Sequence, residues 1–502
     1  MREALSSGRF LISVEFAVPG VGRPFEDAVR PALDLARSIR DDPRIQALAL
    51  TDRSGSDHDH DPIAVGDRIV EACGAMPVVH LAGKDRTPRG LETDLDRADS
   101  LGLEMFLLVT GDKVRSLPPG RPVRYLDSVD ALCAARKRSR ALVLAAALCP
   151  FKYREEELMN QYLKAGKKIR AGADFLITQI GWDMRKFEEA HWVLSQRGYH
   201  VPLVAGLLFL TPHVGRRIRR DGLPGVMVTD DLARKLVEEA QARDGGWAAA
   251  YRRLALQIVG VRHVGYAGVQ VTGLHSPSKV GRLLEEVEAV SRECPTPGAW
   301  REAWQAALTM ADGRPAQVAP RDAVYLGPGK SGNGVRPNPG ESRRFQMMHL
   351  LDRVAFHEGS PGARVIGPLL RRVEPRGSVG RALLYVEAAI KEPLVGCQRC
   401  GFCRLPQTAY VCPETCPKGL ANGPCGGTRD NVCEFGDREC IHNHIYRLSK
   451  HARRLADLEE VLIPPVPEER RNTCSWVTHF RGEGPRAVRL AHRSATFCRQ
   501  ER

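Results

Sequence analysis

Between residues 11 and 274, short apolar runs alternate with longer stretches in which apolar and polar positions are mixed. The runs are LISVEF (11–16), IQALALT (45–51), MPVVHLA (76–82), MFLLVTG (105–111), LVLAAAL (142–148), FLITQIG (175–181), PLVAGLLFL (202–210) and GYAGVQVTGL (265–274). Each is too continuous for a half-exposed strand and has the pattern of one buried on both faces. Between them, FEDAVRPALDLARSIRD, LETDLDRADSLG and EEELMNQYLKAGKKIRAGA have the spacing of helices with one apolar face, and Gly172 stands where the last should stop. Buried strands alternating with helices predict an α/β fold, a (β/α)8 TIM barrel over residues 1–292. A doubly wound open sheet is the structural rival, and the lack of a G-x-G-x-x-G after the first run counts against it. The stretch 211–264 is irregular and reads as two helices and a loop.

From residue 293 the pattern changes. CPTPGAW through LGPGKSGNGVRPNPGESRR is rich in Pro and Gly and predicts a linker with one short helix over 293–342. Helical periodicity returns in RRFQMMHLLDRVAFHE and GRALLYVEAAIKEPL, a collar leading into a run of cysteines. Together they predict a small, partly helical, cysteine-rich metal-binding domain over 343–450, followed by an exposed basic tail with one helix over 451–502.

Composition narrows the class. With 502 residues, 43% hydrophobic and 27% charged, the chain has ordinary globular proportions. Its start, MREALSSGRF, lacks the apolar core of a targeting segment, and VPLVAGLLFL is about half the length that crosses a bilayer, so the expectation is a cytoplasmic protein without a membrane span. The net charge of +14 is spread over arginines set beside acids, which does not make nucleic acid the expected partner. A phosphate-rich cofactor or a polyglutamylated substrate would use the same charge.

Fourteen cysteines without a secretion signal point to metal rather than disulfides. Eight of them fall between 397 and 440: Cys397, Cys400 and Cys403 as C-x2-C-x2-C, then Cys412, Cys416, Cys425, Cys433 and Cys440. That opening is the spacing of iron–sulfur sites, here a [4Fe–4S] centre with Cys412, Cys416 or Cys425 as fourth ligand. Zinc, needing four tetrahedral thiolates, is the alternative. The remaining cysteines, with His442 or His444 as substitutes, could make a second site.

Polar residues stand at the carboxyl ends of the runs, where barrel chemistry sits: Glu15, Thr51, His80, Asp112, Gln179 and His275. SVEF (13–16), HLAGKDRTP (80–88), VTGD (109–112) and KKIRAGADFLITQ (167–179) resemble, in order and spacing, the flavin-dependent methylenetetrahydrofolate reductases. The segment 343–450 resembles the cysteine-rich C-terminal domain fused to, or partnered with, some of these enzymes, most specifically in CPKGLANGPCGG.

The resemblance implies FAD-dependent reduction of 5,10-methylenetetrahydrofolate to 5-methyltetrahydrofolate in one-carbon metabolism. Glu15 would be the general acid that opens the five-membered ring, Asp112 would lie near flavin and pterin, and Gln179 would bond the pterin edge. Thr51 and His80 match flavin-contacting positions, and Lys167 and Lys168 match the basic pair near the FAD phosphates. The implied partners are a folate substrate, NAD(P)H or a redox protein as electron donor, and a second copy or a redox protein in a complex. Two departures stand out. TDRSGSDHDHDP replaces a glycine-rich loop, its DHDHD reading as a solvated acidic loop or a weak metal site, and Cys149 stands where many relatives carry tyrosine. The rival functions are a non-catalytic iron–sulfur electron-transfer or scaffold subunit, and a zinc-stabilised nucleic-acid binder.

Overall fold

Eight parallel strands, β1 (Leu11–Phe16), β2 (Ala47–Leu50), β3 (Val78–Ala82), β4 (Met105–Val109), β5 (Val143–Leu148), β6 (Phe175–Thr178), β7 (Leu203–Leu208) and β8 (Gly268–Thr272), close into a barrel with β8 paired back to β1. The structure is a computed structural model that describes residues 5, 7–54, 57–114, 125–328 and 334–492. The continuous apolar runs have a direct cause, because each strand serves two cores. Alternate residues, including Leu11, Ala49, Leu107, Ala145 and Phe175, fill the barrel interior. Their neighbours, including Val14, Leu50, Phe106 and Leu144, pack outward on helices. The inward parity, continued along β1, β3 and β8, takes in Glu15, His80 and Gln270.

The outer helices are α1 (Phe25–Arg40), α2 (Pro62–Cys73), α3 (Pro88–Ser100), α4 (Ser128–Arg138), α5 (Glu155–Ala171) and α6 (Met184–Gln196). After β7 come three helices where two were expected: α7 (Pro212–Asp221), α8 (Asp230–Glu239) and α9 (Trp247–Val264), before α10 (Pro277–Glu293) follows β8. Side-chain oxygens of Thr211 and Thr229 cap α7 and α8, which is how so short a stretch supports separate helices.

The Pro/Gly-rich stretch carries its one early helix, α11 (Pro297–Leu308), but it packs on the barrel rather than spanning a gap. Trp300 is buried against Gly260, its indole donating to the Leu256 carbonyl at 2.7 Å, and Lys186 donates to the Val324 carbonyl at 2.7 Å. The collar consists of α12 (Pro339–Leu351), a π-helical turn (Asp352–Phe356), α13 (Pro361–Arg371) and α14 (Ser378–Val395).

Beyond the cysteines lie α15 (Ile441–His451), α16 (Leu455–Glu460), α17 (Ser475–Phe480) and a two-stranded sheet of β9 (Val461–Leu462) and β10 (Val488–Arg489). The expected exposed tail is therefore packed into the structure around Glu459, Ile463 and residues 474–478, while residues 486–489 and 491–492 are exposed as expected. Cys474 and Val477 are buried with Leu370 and Leu384, and Glu459 is buried in an ion pair with Arg197. Among the described residues no helix is long and apolar enough to cross a membrane.

Candidate functional site: a barrel mouth shared with a thiol module

On the β1, β3 and β8 side of the rim, polar side chains answer one another across strands. Gln270, on β8, donates its amide to Glu15 Oε2 at 2.7 Å, and its own Oε1 is buried without a partner among the described residues. His80, on β3, is buried and its Nε2 likewise lacks a partner there. Burial lowers the His80 pKa against the opposing pull of Glu15 and Asp52, so the imidazole is neutral at pH 7. Asp52 accepts from the Ala82 amide at 2.8 Å and pairs with Arg53 and Arg86. The Thr51 hydroxyl oxygen accepts from the Val18 amide at 3.1 Å, fixing the turn after β1. His275 is exposed and meets Phe16 edge-on, with 6.3 Å between centroids. A carboxyl, a neutral imidazole and an amide thus share one mouth, a set that can deliver a proton and orient a polar ring.

The β4 to β6 side is built differently, because loop 418–434 of the module reaches it. Lys418 donates to the Gly111 carbonyl at 2.8 Å, beside Asp112, and forms a buried ion pair with Glu434. Glu434 in turn accepts from the Lys113 amide at 2.7 Å. Gln179 donates to the Pro224 carbonyl at 3.0 Å and accepts from the Ile180 amide, so its amide is engaged by the loop before α8. Cys149 is buried beside that loop, and a Cβ on Gly426 would lie 3.5 Å from its Cβ. A Cβ on Gly225 (φ +74°) would come 2.7 Å from the Gly426 carbonyl, so glycine there is what lets the two loops touch. Between these elements lies a cavity of about 1060 Å³, lined by Asp112, Tyr153, Pro224, Arg321 and Arg429 among others. That is ample for a folate-sized ligand.

The acidic DHDHD segment is neither a solvated loop nor, among the described residues, part of a metal cluster. Asp57 forms a buried ion pair with Lys84, His60 bonds the Arg23 carbonyl at 2.9 Å, and Asp61 caps α2 through the Ile63 amide at 3.1 Å. These contacts strap the β2–α2 loop to its neighbours.

The eight thiols divide into two groups of four. Cys397, Cys400, Cys403 and Cys412 line one small cavity together with Lys391 and Glu387. Burial, and after it the charge of nearby Cys425, raises the pKa of Cys416, Cys433 and Cys440, so each of the three lies in the neighbourhood of Cys425. Of the three candidates for a fourth ligand, Cys412 is the one that lines the same cavity as the C-x2-C-x2-C set. Neither candidate histidine joins the thiols. His442 is buried near Lys164 and Lys167 with its pKa pushed down to about 3 by burial, and His444 pairs with Glu341 and Glu439. Among the described residues no three His, Cys, Asp or Glu side chains form a group placed to hold a single metal ion. The donor set, two fours of thiols on glycine- and proline-rich turns, fits iron–sulfur centres.

Helix α5 carries the lysines matched to the FAD phosphates, and it is buried almost all round. Lys168 donates to the Ala147 carbonyl at 2.6 Å and burial lowers its pKa to about 7; Lys167 is buried with its pKa lowered to about 8. Module backbone covers the rest of that face. Lys152 donates to the Gly426 carbonyl at 2.9 Å, Gln161 to Cys425 at 3.0 Å, Lys164 to Gly423 at 2.9 Å and Asn160 to His442 at 2.9 Å. A diphosphate needs such cations within reach, so the α5 positions do not fit FAD. The positions matched to the flavin ring, Thr51, His80 and Asp112, do stand around the mouth.

A family profile described as methylenetetrahydrofolate reductase matches residues 1–275. The chain belongs to that family. A second profile, methylene-tetrahydrofolate reductase C terminal, matches residues 378–468, taking in both thiol groups and the α15–α16 segment that packs on α5. No individually curated protein matches. Among solved structures, an uncharacterised protein from Clostridium thermocellum that binds two copies of 5-methyl-5,6,7,8-tetrahydrofolic acid superposes with a TM-score of 0.43 at 14% identity, covering 56% of this chain and 95% of that one.

The sequence pointed to Glu15, Asp112, Gln179 and the thiols as candidates, but not to Gln270 at the mouth or to Lys152, Gln161, Lys164, Lys418 and Glu434, which join barrel and module. Gln270 was findable, since it shares the inward parity of β8. Lys418 lies inside CPKGLANGPCGG, where nothing in the spacing of the cysteines sets it apart from an exposed lysine.

Proposed function

We propose that this chain reduces 5,10-methylenetetrahydrofolate to 5-methyltetrahydrofolate at the barrel mouth, in the cytoplasm. The observation that supports the reading most strongly is the Glu15–Gln270 bond beside neutral His80 at the ends of β1, β8 and β3. In this reading Glu15 gives its proton to N10 of the substrate, breaking the bond between N10 and the methylene carbon. The Gln270 amide then holds the carboxylate that remains, while N5 carries the resulting iminium. Uptake of two electrons and a proton at the iminium carbon completes the methyl group. Asp112 and the Gln179 strand end border the pterin, and the 1060 Å³ cavity takes the rest of the folate.

The reducing equivalents come from NAD(P)H or a reduced redox protein. Iron–sulfur centres on the two thiol groups would supply one-electron transfer, and Cys425 of the second group adjoins the Gly426–Cys149 contact. A flavin ring among Thr51, His80 and Asp112 would supply hydride; no step here depends on it. The test is a single turnover of anaerobically purified, chemically reduced full chain with methylenetetrahydrofolate. The expected product is methyltetrahydrofolate, strongly reduced in Glu15→Gln. A fully metallated protein that binds the folate but forms no product would overturn the proposal.

A further inference from the structure

The family resemblance gives Lys167 and Lys168 of α5 to the FAD phosphates, and the structure buries both on a helix covered by the module. We infer that the glycine-rich segment 422–428 has taken the place of the adenosine diphosphate arm of FAD, so that the assembled chain excludes that arm. The burial of the helix is the first observation. Met159 and Arg170 are the two half-buried residues of α5, and all its other residues are buried. A barrel helix with only one partner keeps an exposed polar face, and this one does not.

The remaining observations concern what covers it. Lys152 just before α5, and Gln161 and Lys164 on it, polar donors that would otherwise be open to a ligand, donate to the carbonyls of Gly426, Cys425 and Gly423. Gly423 (φ +116°) packs so closely on Lys164 that a Cβ there would meet the lysine stem at 3.0 Å. Tyr446 and Lys450 of α15 bond Glu155, and a Cβ on Gly166 would meet the Glu459 carboxylate of α16 at 2.6 Å, so the cover is continuous along the helix. Lys168 itself turns inward and donates to the Ala147 carbonyl at 2.6 Å.

This inference rests on the family resemblance for the FAD positions, but not on the proposed reduction. Its test is therefore a binding experiment on the intact chain, titrated with FAD, with riboflavin, and with FAD in the presence of excess ADP. The expected result is that FAD binds within tenfold of riboflavin, or that neither binds, and that ADP does not compete. Lys168→Met should leave flavin binding unchanged. FAD binding more than tenfold tighter than riboflavin, or its displacement by ADP, would overturn the inference, whether or not the chain reduces folate.

Discussion

The two sides of the barrel rim are built from equivalent strand ends and have different fates. On the β1, β3 and β8 side, Glu15, Gln270 and His80 share the mouth. On the β4 to β6 side, Gly111, Lys152 and Gln161 are bonded to the thiol module. The difference teaches that a polar residue at a barrel rim has two employers, a ligand or a second domain, and that residue type alone does not say which.

The largest expected effect separates the two sides by chemistry. Glu15→Gln should slow formation of methyltetrahydrofolate by about 10²–10⁴-fold, the usual worth of a general acid, while thiol-bound metal content stays at the parent level. Product formation rates within a factor of about two of the parent would place Glu15 outside the reaction.

Breaking the module's hold comes next. Lys418→Met leaves Glu434 buried without its cation, at a cost of about 3–5 kcal/mol. Limited proteolysis should then cut within 395–440 far faster than in the parent, with the barrel left intact. Equal cleavage rates would mean that the Lys418–Glu434 pair does not hold the module to β4.

A pH dependence probes α5 itself. Burial lowers the Lys168 pKa to about 7 from an ordinary value of 10.5, so above pH 7 the unfolded chain binds a proton that the folded chain does not. The burial penalty is complete below that pH and is relieved as pH rises, so stability contributed at this site increases between pH 7 and 9. Relative to Lys168→Met, the parent should gain about 2 kcal/mol over that interval in denaturant unfolding. Parallel pH profiles would show that Lys168 is not buried as an amine.

The smallest effect is at the shared edge. Gln179→Ala should weaken folate binding by about 1 kcal/mol, the worth of one neutral hydrogen bond, measured by equilibrium titration. A loss many times larger would mean that the Pro224 loop has moved with it.

The barrel was legible because doubly buried strands have an unmistakable pattern, and Glu15 because it lies near the end of one of them. The pairing of Cys412 with Cys397, Cys400 and Cys403 was open among three candidates, since a loop's path is not written in its spacing. The role of α5 was hidden for a physical reason. Lys164, Lys167 and Lys168 have the spacing of a solvent-facing or phosphate-facing stripe, and the buried Asp127 carboxylate together with a backbone carbonyl brought from 259 residues away satisfies Lys164 equally well. The clue that remained was small residues: Gly166 on the helix and Gly423 in the loop mark where the module approaches.

Covalent lysine footprinting of the native chain tests this account most directly. Amine-reactive labelling at pH 8, read by mass spectrometry, should modify the exposed Lys113 and Lys137 and spare Lys152, Lys164, Lys167 and Lys168. Lys164 sharpens the reading, because its ammonium is bonded to the Gly423 carbonyl of the module as well as to Asp127 and would be reached if the module were displaced. Its silence would therefore report the cover itself. Labelling of Lys167 and Lys168 at the rate of Lys137 would contradict the account and return α5 to a ligand.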